Sequence, residues 1–298
     1  MVWLETILRE VIMKKNLIWK LGMTLLVFIT CNVRADIKVK KVNNNLSEDF
    51  AKEEIWQSAE ADQVISLMGQ PMVAPKPKET LTTEVKVTAV HDGKWIAFRM
   101  KWKDTEPSES GKLATFSDAV ALEFPVKESE NLPPIMMGAK DAPVHLLHWR
   151  YQYQQDELNG KKSIDKIYPN MTTDMYSMDF KDPGNSKVAT QEQKDSFVGG
   201  MAAGNPQSFQ KTAVDEILAE GFGTSAVMEK KSAKGFGVWK NGVWTVVIVR
   251  PLNYEHASNI LVGKKSNVGF AVWQGGKKEV GGIKSLTMMW TPLEVLAQ

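Results

Sequence analysis

Lys234-Gly235-Phe236-Gly237-Val238-Trp239-Lys240-Asn241-Gly242-Val243-Trp244-Thr245-Val246-Val247-Ile248-Val249-Arg250 reads as two strands folded about a tight turn. β-Branched and aromatic residues crowd both arms, as a half-buried pleated surface favours. Asn241-Gly242 suits a two-residue hairpin because both residues tolerate positive φ. Pro251 stops the second arm.

The same grammar recurs on both sides of this hairpin. Residues 37–42 read as a strand. Residues 82–90 alternate apolar and polar, His91-Asp92-Gly93-Lys94 reads as a turn, and residues 95–102 complete a hairpin. Residues 118–124 form another short strand stopped by Pro125, and residues 268–273 and 285–290 predict one more strand pair. Many short strands with such turns predict a mostly all-β protein, a β-sandwich. Residues 151–232 break the pattern. They are polar, with one stretch, 210–220, that reads as a short helix, and so predict a long irregular or partly helical insertion.

The chain has 298 residues, 43% hydrophobic and 24% charged, with a formal net charge of +2. The basic residues are scattered among acids, which excludes the electrostatic footprint of a nucleic-acid binder. Residues 1–35 read as a signal peptide whose true start is Met13. Lys14 and Lys15 precede an apolar run over residues 21–29, and Val33-Arg34-Ala35 offers small residues for cleavage. That run is too short for a membrane anchor. Removing it takes away Cys31, the only cysteine, and brings the net charge to −1. The mature protein, residues 36–298, then has no disulfide, no thiolate metal site and no Cys-x-x-Cys-His for covalent haem.

Two segments could carry chemistry. Pro133-Pro134-Ile135-Met136-Met137-Gly138 is a Pro-bounded loop, and a Met before Gly can project a soft thioether ligand. Core packing is the commoner fate of a Met. Gly281-Gly282-Ile283-Lys284-Ser285 precedes a strand, and Lys284 could bind a metal only after losing its proton. A solvated lysine is the commoner outcome. His145 and His148 are three apart in an extended segment and point to opposite faces, so they make a poor pair for one metal, though either could line a pocket. His91 falls in a turn and His256 in a loop. Asp118 and Glu123 also face opposite sides. No hydrolase elbow, phosphate loop, dinucleotide fingerprint or zinc-protease motif is present.

An ordered set of stretches resembles the haem b-binding γ subunits of the dimethyl sulfoxide reductase family of molybdenum enzymes. These are the subunits found in ethylbenzene and dimethylsulfide dehydrogenases, selenate, chlorate and nitrate reductases, and nitrite oxidoreductases. The stretches are Phe116-Ser117-Asp118-Ala119-Val120-Ala121-Leu122-Glu123-Phe124-Pro125, then Met137-Gly138 with Pro143-Val144 and Trp149, then Gly242–Val247 in the hairpin with Arg250-Pro251-Leu252, and last Phe270-Ala271-Val272-Trp273 with Gly282-Ile283-Lys284-Ser285. The resemblance implies a sandwich similar to sugar-binding modules and DOMON haem domains. It implies one non-covalent haem b whose iron is held by Met137 and Lys284, with Met136 and Lys278 as rival ligands and Trp149 and Trp273 lining the pocket. It further implies a non-catalytic electron-transfer subunit, exported to the periplasm or an equivalent compartment. Its partners would be an iron–sulfur β subunit, a molybdopterin-containing α subunit and a soluble cytochrome or similar carrier. Ten Trp residues keep a second reading open, a secreted carbohydrate-binding module without haem.

Overall fold

A computed structural model of the chain describes residues 36–110, 113–162, 167 and 212–297. Through them run β1 (Ile37–Lys41), β2 (Gln63–Ser66), β3 (Met68–Gly69), β4 (Glu84–His91), β5 (Trp95–Lys103), β6 (Ala119–Pro125) and β7 (Val144–Arg150). There follow β8 (Val214–Ala219), β9 (Ala226–Val227), β10 (Lys234–Lys240), β11 (Val243–Pro251), β12 (Lys265–Trp273), β13 (Ser285–Leu286) and β14 (Thr291–Val295). The hairpin β10–β11 forms where its turn residues predict, with Trp239 opposite Trp244. Asn241 and Gly242 take φ of 52° and 77°.

Hydrogen bonding runs β10-β11-β5-β4-β1-β14-β12-β6-β7-β8-β9. The path folds over at β1. Its Lys40 and Lys41 pair in parallel with β4, while Ile37, Lys38 and Val39 pair in parallel with β14. The two halves then face each other. Phe98 of β5 meets Phe124 of β6 with ring centroids 5.7 Å apart, and Trp149 of β7 meets Trp244 of β11 edge-on at 5.3 Å. Strands that are far apart in the path but touch through their side chains define two packed layers, the predicted sandwich. One core joins Val85, Val87, Phe98 and Met100 from one half with Val120, Leu122, Leu147 and Val272 from the other.

Several local expectations need correction. Of the stretch 210–220 read as a helix, the described residues 212–220 are not helical. Val214–Ala219 is strand β8, paired antiparallel with β7 from Val144↔Ala219 to Trp149↔Val214. The open edge of β7 needed a partner, and its backbone donors and acceptors outweighed a local helical tendency. Residues 163–166 and 168–211 of the expected insertion over 151–232 lie outside the described residues. The described part of that stretch holds a helix, Tyr151–Asn159, and strands β8 and β9. Of the predicted strand over 285–290 only Ser285–Leu286 pairs, and Thr291–Val295 forms β14, which Pro292 hid by reading as a breaker. His91 belongs to the end of β4, not to the turn, and its Nε2 lies 2.7 Å from the Leu296 carbonyl oxygen. The signal-peptide expectation, with Met13 and Cys31, lies outside the described residues. Among the described residues no helix is long and apolar enough to cross a membrane.

Candidate functional site

Strand parity decides what faces the site. Along β6, Val120, Leu122 and Phe124 enter the core, while Ala119, Ala121 and Glu123 face outward. Along β7, Leu147 and Trp149 enter the core, and Leu146, His148 and Arg150 face outward. Ala271 and Trp273 of β12 and Ile217 of β8 share that outer face. Small residues at Ala121 and Ala271 leave a hollow. Loops bearing Gln70, Met137, Phe222 and Gly282 roof it, enclosing a cavity of about 320 Å³. That volume is at the lower end of the range for small-molecule sites.

Met137 and Lys284, distant in sequence, both line this cavity. The Met137 loop is held by backbone geometry. Met137 and Gly138 take φ of 70° and 69°. A Cβ on Gly138 would lie 2.7 Å from the Ala142 carbonyl oxygen, so only glycine fits there. Gly138 N–H donates to Pro134 O at 3.0 Å, and Gly221 N–H donates to Met137 O at 2.7 Å. Met136 lines the cavity too, so it keeps its place as a rival thioether. Lys278 does not. It is exposed, at the end of the 3₁₀ turn Gly275–Lys277.

Lys284 is carried by a strand junction. Its carbonyl accepts Gln70 N–H at 2.9 Å, and the following Ser285–Leu286 pairs with both β12 and β3. Its Nζ lies 4.8 Å from the centre of the Trp273 ring. Trp273 is fixed in turn, because its Nε1 donates to Gly281 O at 3.0 Å. Trp273 is thus a fixed part of the cavity wall.

Glu123 was missed. Its Oε1 accepts the Met137 backbone N–H at 3.2 Å, and it is the charge that acts on Lys284. Burial pushes the Glu123 carboxyl up and the Lys284 amine down, each charge opposing the other's shift. Both shifts favour the uncharged pair, and an uncharged amine is what a metal ion requires. The repeat Ala119, Ala121, Glu123 on one face was the available signal. A lone acid opposite no acid partner did not look like chemistry.

His145 and His148 do point to opposite faces. His148 lines the cavity and stacks on Trp273 at 4.6 Å with a 27° interplanar angle. Burial, with Arg150 and Lys284 adding to it, pushes its pKa well below the usual imidazole range, so the ring is neutral. Its Nε2 is buried without a hydrogen-bond partner. His145 faces the core, where its Nδ1 lies 3.0 Å from Ser258 Oγ and its Nε2 lies 3.6 Å from Glu216. This Ser–His–Glu order resembles a hydrolytic triad. Ser258 is only 1% exposed and Arg250 Nη1 donates to its hydroxyl at 2.6 Å, so no substrate can reach it. The set is a buried clamp between β7, β8 and the end of β11. His256 lies in an exposed loop, as predicted.

Trp149 is a correction. It sits in the core, touching Trp244, and its Nε1 donates to Gln154 at 3.1 Å. It has the opposite parity to His148 and cannot reach the cavity.

The donor set fits a haem. A thioether and an unprotonated amine are both competent iron ligands, and the wall between them is aromatic and apolar. Among the described residues no group of three or more His, Cys, Asp or Glu could hold a bare metal ion. A family model described as ethylbenzene dehydrogenase matches residues 53–285, which takes in the cavity strands, Met137 and Lys284. A protein of Haloferax mediterranei, named as a candidate heme subunit of a respiratory nitrate reductase, is 28% identical over 134 residues, covering 44% of this chain and 47% of that protein. The chain thus matches about half the length of this curated relative. A crystal structure of a candidate carbohydrate-binding protein from Bacteroides uniformis superposes with a TM-score of 0.43 and 9% identity, over 88% of this chain and 99% of that one.

Proposed function

The chain belongs to the ethylbenzene dehydrogenase family, and from that premise we propose that it is a haem b-carrying electron-transfer subunit of a molybdenum oxidoreductase complex, not its catalytic chain. One observation carries the reading: Met137 and Lys284 converge on a single cavity roofed by loops. Nothing in sandwich packing requires a thioether and a half-buried amine to meet there. The Haloferax mediterranei relative, named as a candidate heme subunit of a respiratory nitrate reductase, supports the reading.

When bound, one non-covalent haem would supply reversible one-electron transfer, and a thioether ligand tends to raise its potential. The chain's own residues prepare the site. The left-handed backbone at Met137 and Gly138 aims the thioether. Burial disfavours the Lys284 ammonium, and Glu123 can hold the proton that the amine gives up. Trp273 and His148 wall one side and keep water from the amine. The partners we propose are an iron–sulfur β subunit, a molybdopterin-containing α subunit and a soluble cytochrome. The apolar run over residues 21–29 supports export to the periplasm or an equivalent compartment.

The carbohydrate-binding alternative called for exposed aromatic platforms. Every described Trp is buried or half-buried, and the exposed aromatics among the described residues are Phe222 and Phe236, which face no common groove. The test is spectroscopic. Protein loaded with haem should be red, with a low-spin spectrum that Met137→Ala and Lys284→Ala each convert to high spin. A low-spin spectrum untouched by both changes, but lost in Met136→Ala or His148→Ala, would move the iron bonds to those residues.

A further inference from the structure

Neither proposed iron bond uses Arg150, the one guanidinium among the described residues that lines the cavity. Arg150, the last residue of β7, borders it beside His148. Among the described residues no carboxylate lies within ion-pairing distance of Arg150. Asp215, which stands opposite His148 on β8, pairs with Lys231 at 2.7 Å. The contacts Arg150 does make orient it without neutralising it. Its guanidinium lies 4.9 Å from the centre of the Tyr153 ring, and its Nη2 lies 3.5 Å from His148 Nδ1. The neutral His148 ring can accept that hydrogen bond, which leaves the rest of the guanidinium fork without a charged partner.

Contacts also order the cavity wall. Lys284 Nζ lies against Trp273, Trp273 stacks on His148, and His148 meets Arg150. Arg150 and the ligand amine are thus separated by two stacked rings. The acid of the cavity, Glu123, sits at the other end, with Met137 and Lys284. One end of the cavity can compensate an iron centre, and the other offers a positive charge that matches a planar anion.

We propose that Arg150, oriented by His148, is a carboxylate subsite that receives a propionate of the porphyrin and so sets which way round the macrocycle enters. This rests on the haem reading above. Haem and haem dimethyl ester, whose propionates are blocked, would be titrated into the full chain and into Arg150→Met and Arg150→Lys. The native chain should prefer haem over the ester by at least about tenfold, as one charged hydrogen-bond pair predicts. Arg150→Met should lose that preference and keep the low-spin spectrum, because both iron ligands remain. Arg150→Lys should retain part of it. Equal affinity of the native chain for haem and ester would overturn the subsite, and so would an undiminished preference in Arg150→Met. The ester measurement on the native chain stands even if a variant misfolds. Failure of the native chain to take up either porphyrin overturns the haem reading itself, a result that cannot be confused with equal binding of both.

Discussion

Glu123 accepts the backbone N–H of Met137 at 3.2 Å from the strand face that also presents it to Lys284. One carboxyl group thus bonds to one of the segments proposed to hold the iron and acts through its charge on the other. Glu123→Gln keeps a carbonyl acceptor for the Met137 N–H and should leave the loop in place. Glu123→Ala leaves that N–H unpaired, at a cost of about 1–2 kcal/mol to the loop. We expect haem affinity to fall by roughly tenfold in the alanine variant and by much less in the glutamine variant. Equal losses in both, measured by haem titration, would mean that charge and not the hydrogen bond is what Glu123 contributes.

Gly138 is the second support of the same loop. With φ at 69° and the Ala142 carbonyl oxygen 2.7 Å from a would-be Cβ, Gly138→Ala has to move backbone. The cost should be about 1–3 kcal/mol. Most of it should appear as weakened haem binding and less as a lower unfolding midpoint, because the loop lies outside the main core. Thermal unfolding with and without haem separates the two.

The two tryptophans assigned alike from the sequence should now behave differently. Trp149 fills the core against Trp244, and a Cβ on Gly237 would lie 2.5 Å from its ring. Trp149→Ala should cost about 3–5 kcal/mol of stability. Trp273→Ala opens the cavity wall beside Lys284. It should change the haem spectrum and its affinity more than Trp149→Ala does at matched folded fraction. Urea unfolding midpoints and Soret spectra of the pair check this.

Glu279 gives a pH signature apart from the cavity. It is 2% exposed and bonded to Gln274 N–H at 2.8 Å, and burial pushes its carboxyl from 4.5 up to about 7. Between those two values the folded state holds more protons than the unfolded one. Its contribution to stability is therefore complete below about pH 4.5 and is lost as pH rises through 7. Glu279→Gln removes that slope. Relative to the native chain, the variant should gain about 2–3 kcal/mol between pH 5 and pH 8, as read from urea midpoints at each pH. A constant difference across that range would show that Glu279 is already ionised at pH 5.

Much of the sandwich was legible. The alternation of residues 82–102 and the Asn241-Gly242 turn are local signals, because a pleat repeats every two residues and a primed turn needs positive φ. The same periodicity correctly put His145 and His148 on opposite faces, and Asp118 and Glu123 likewise. It could not say which face was core. Trp149 went to the wrong side because a resemblance names residues, not the direction in which a strand turns them.

What the sequence determined by itself was therefore the set of strands with strong local signals and the residue pairs that share a face; the resemblance pointed to Met137 and Lys284, which line one cavity. Only the tertiary structure decided that residues 214–219 complete a sheet, that β14 closes the path through Pro292, and that Glu123, His148 and Arg150 border the same cavity as those two. The reason is physical. Local signals report φ, ψ and period within a few residues. A strand edge that needs a partner, and a hollow left by small residues on two neighbouring strands, exist only once distant segments have been brought together.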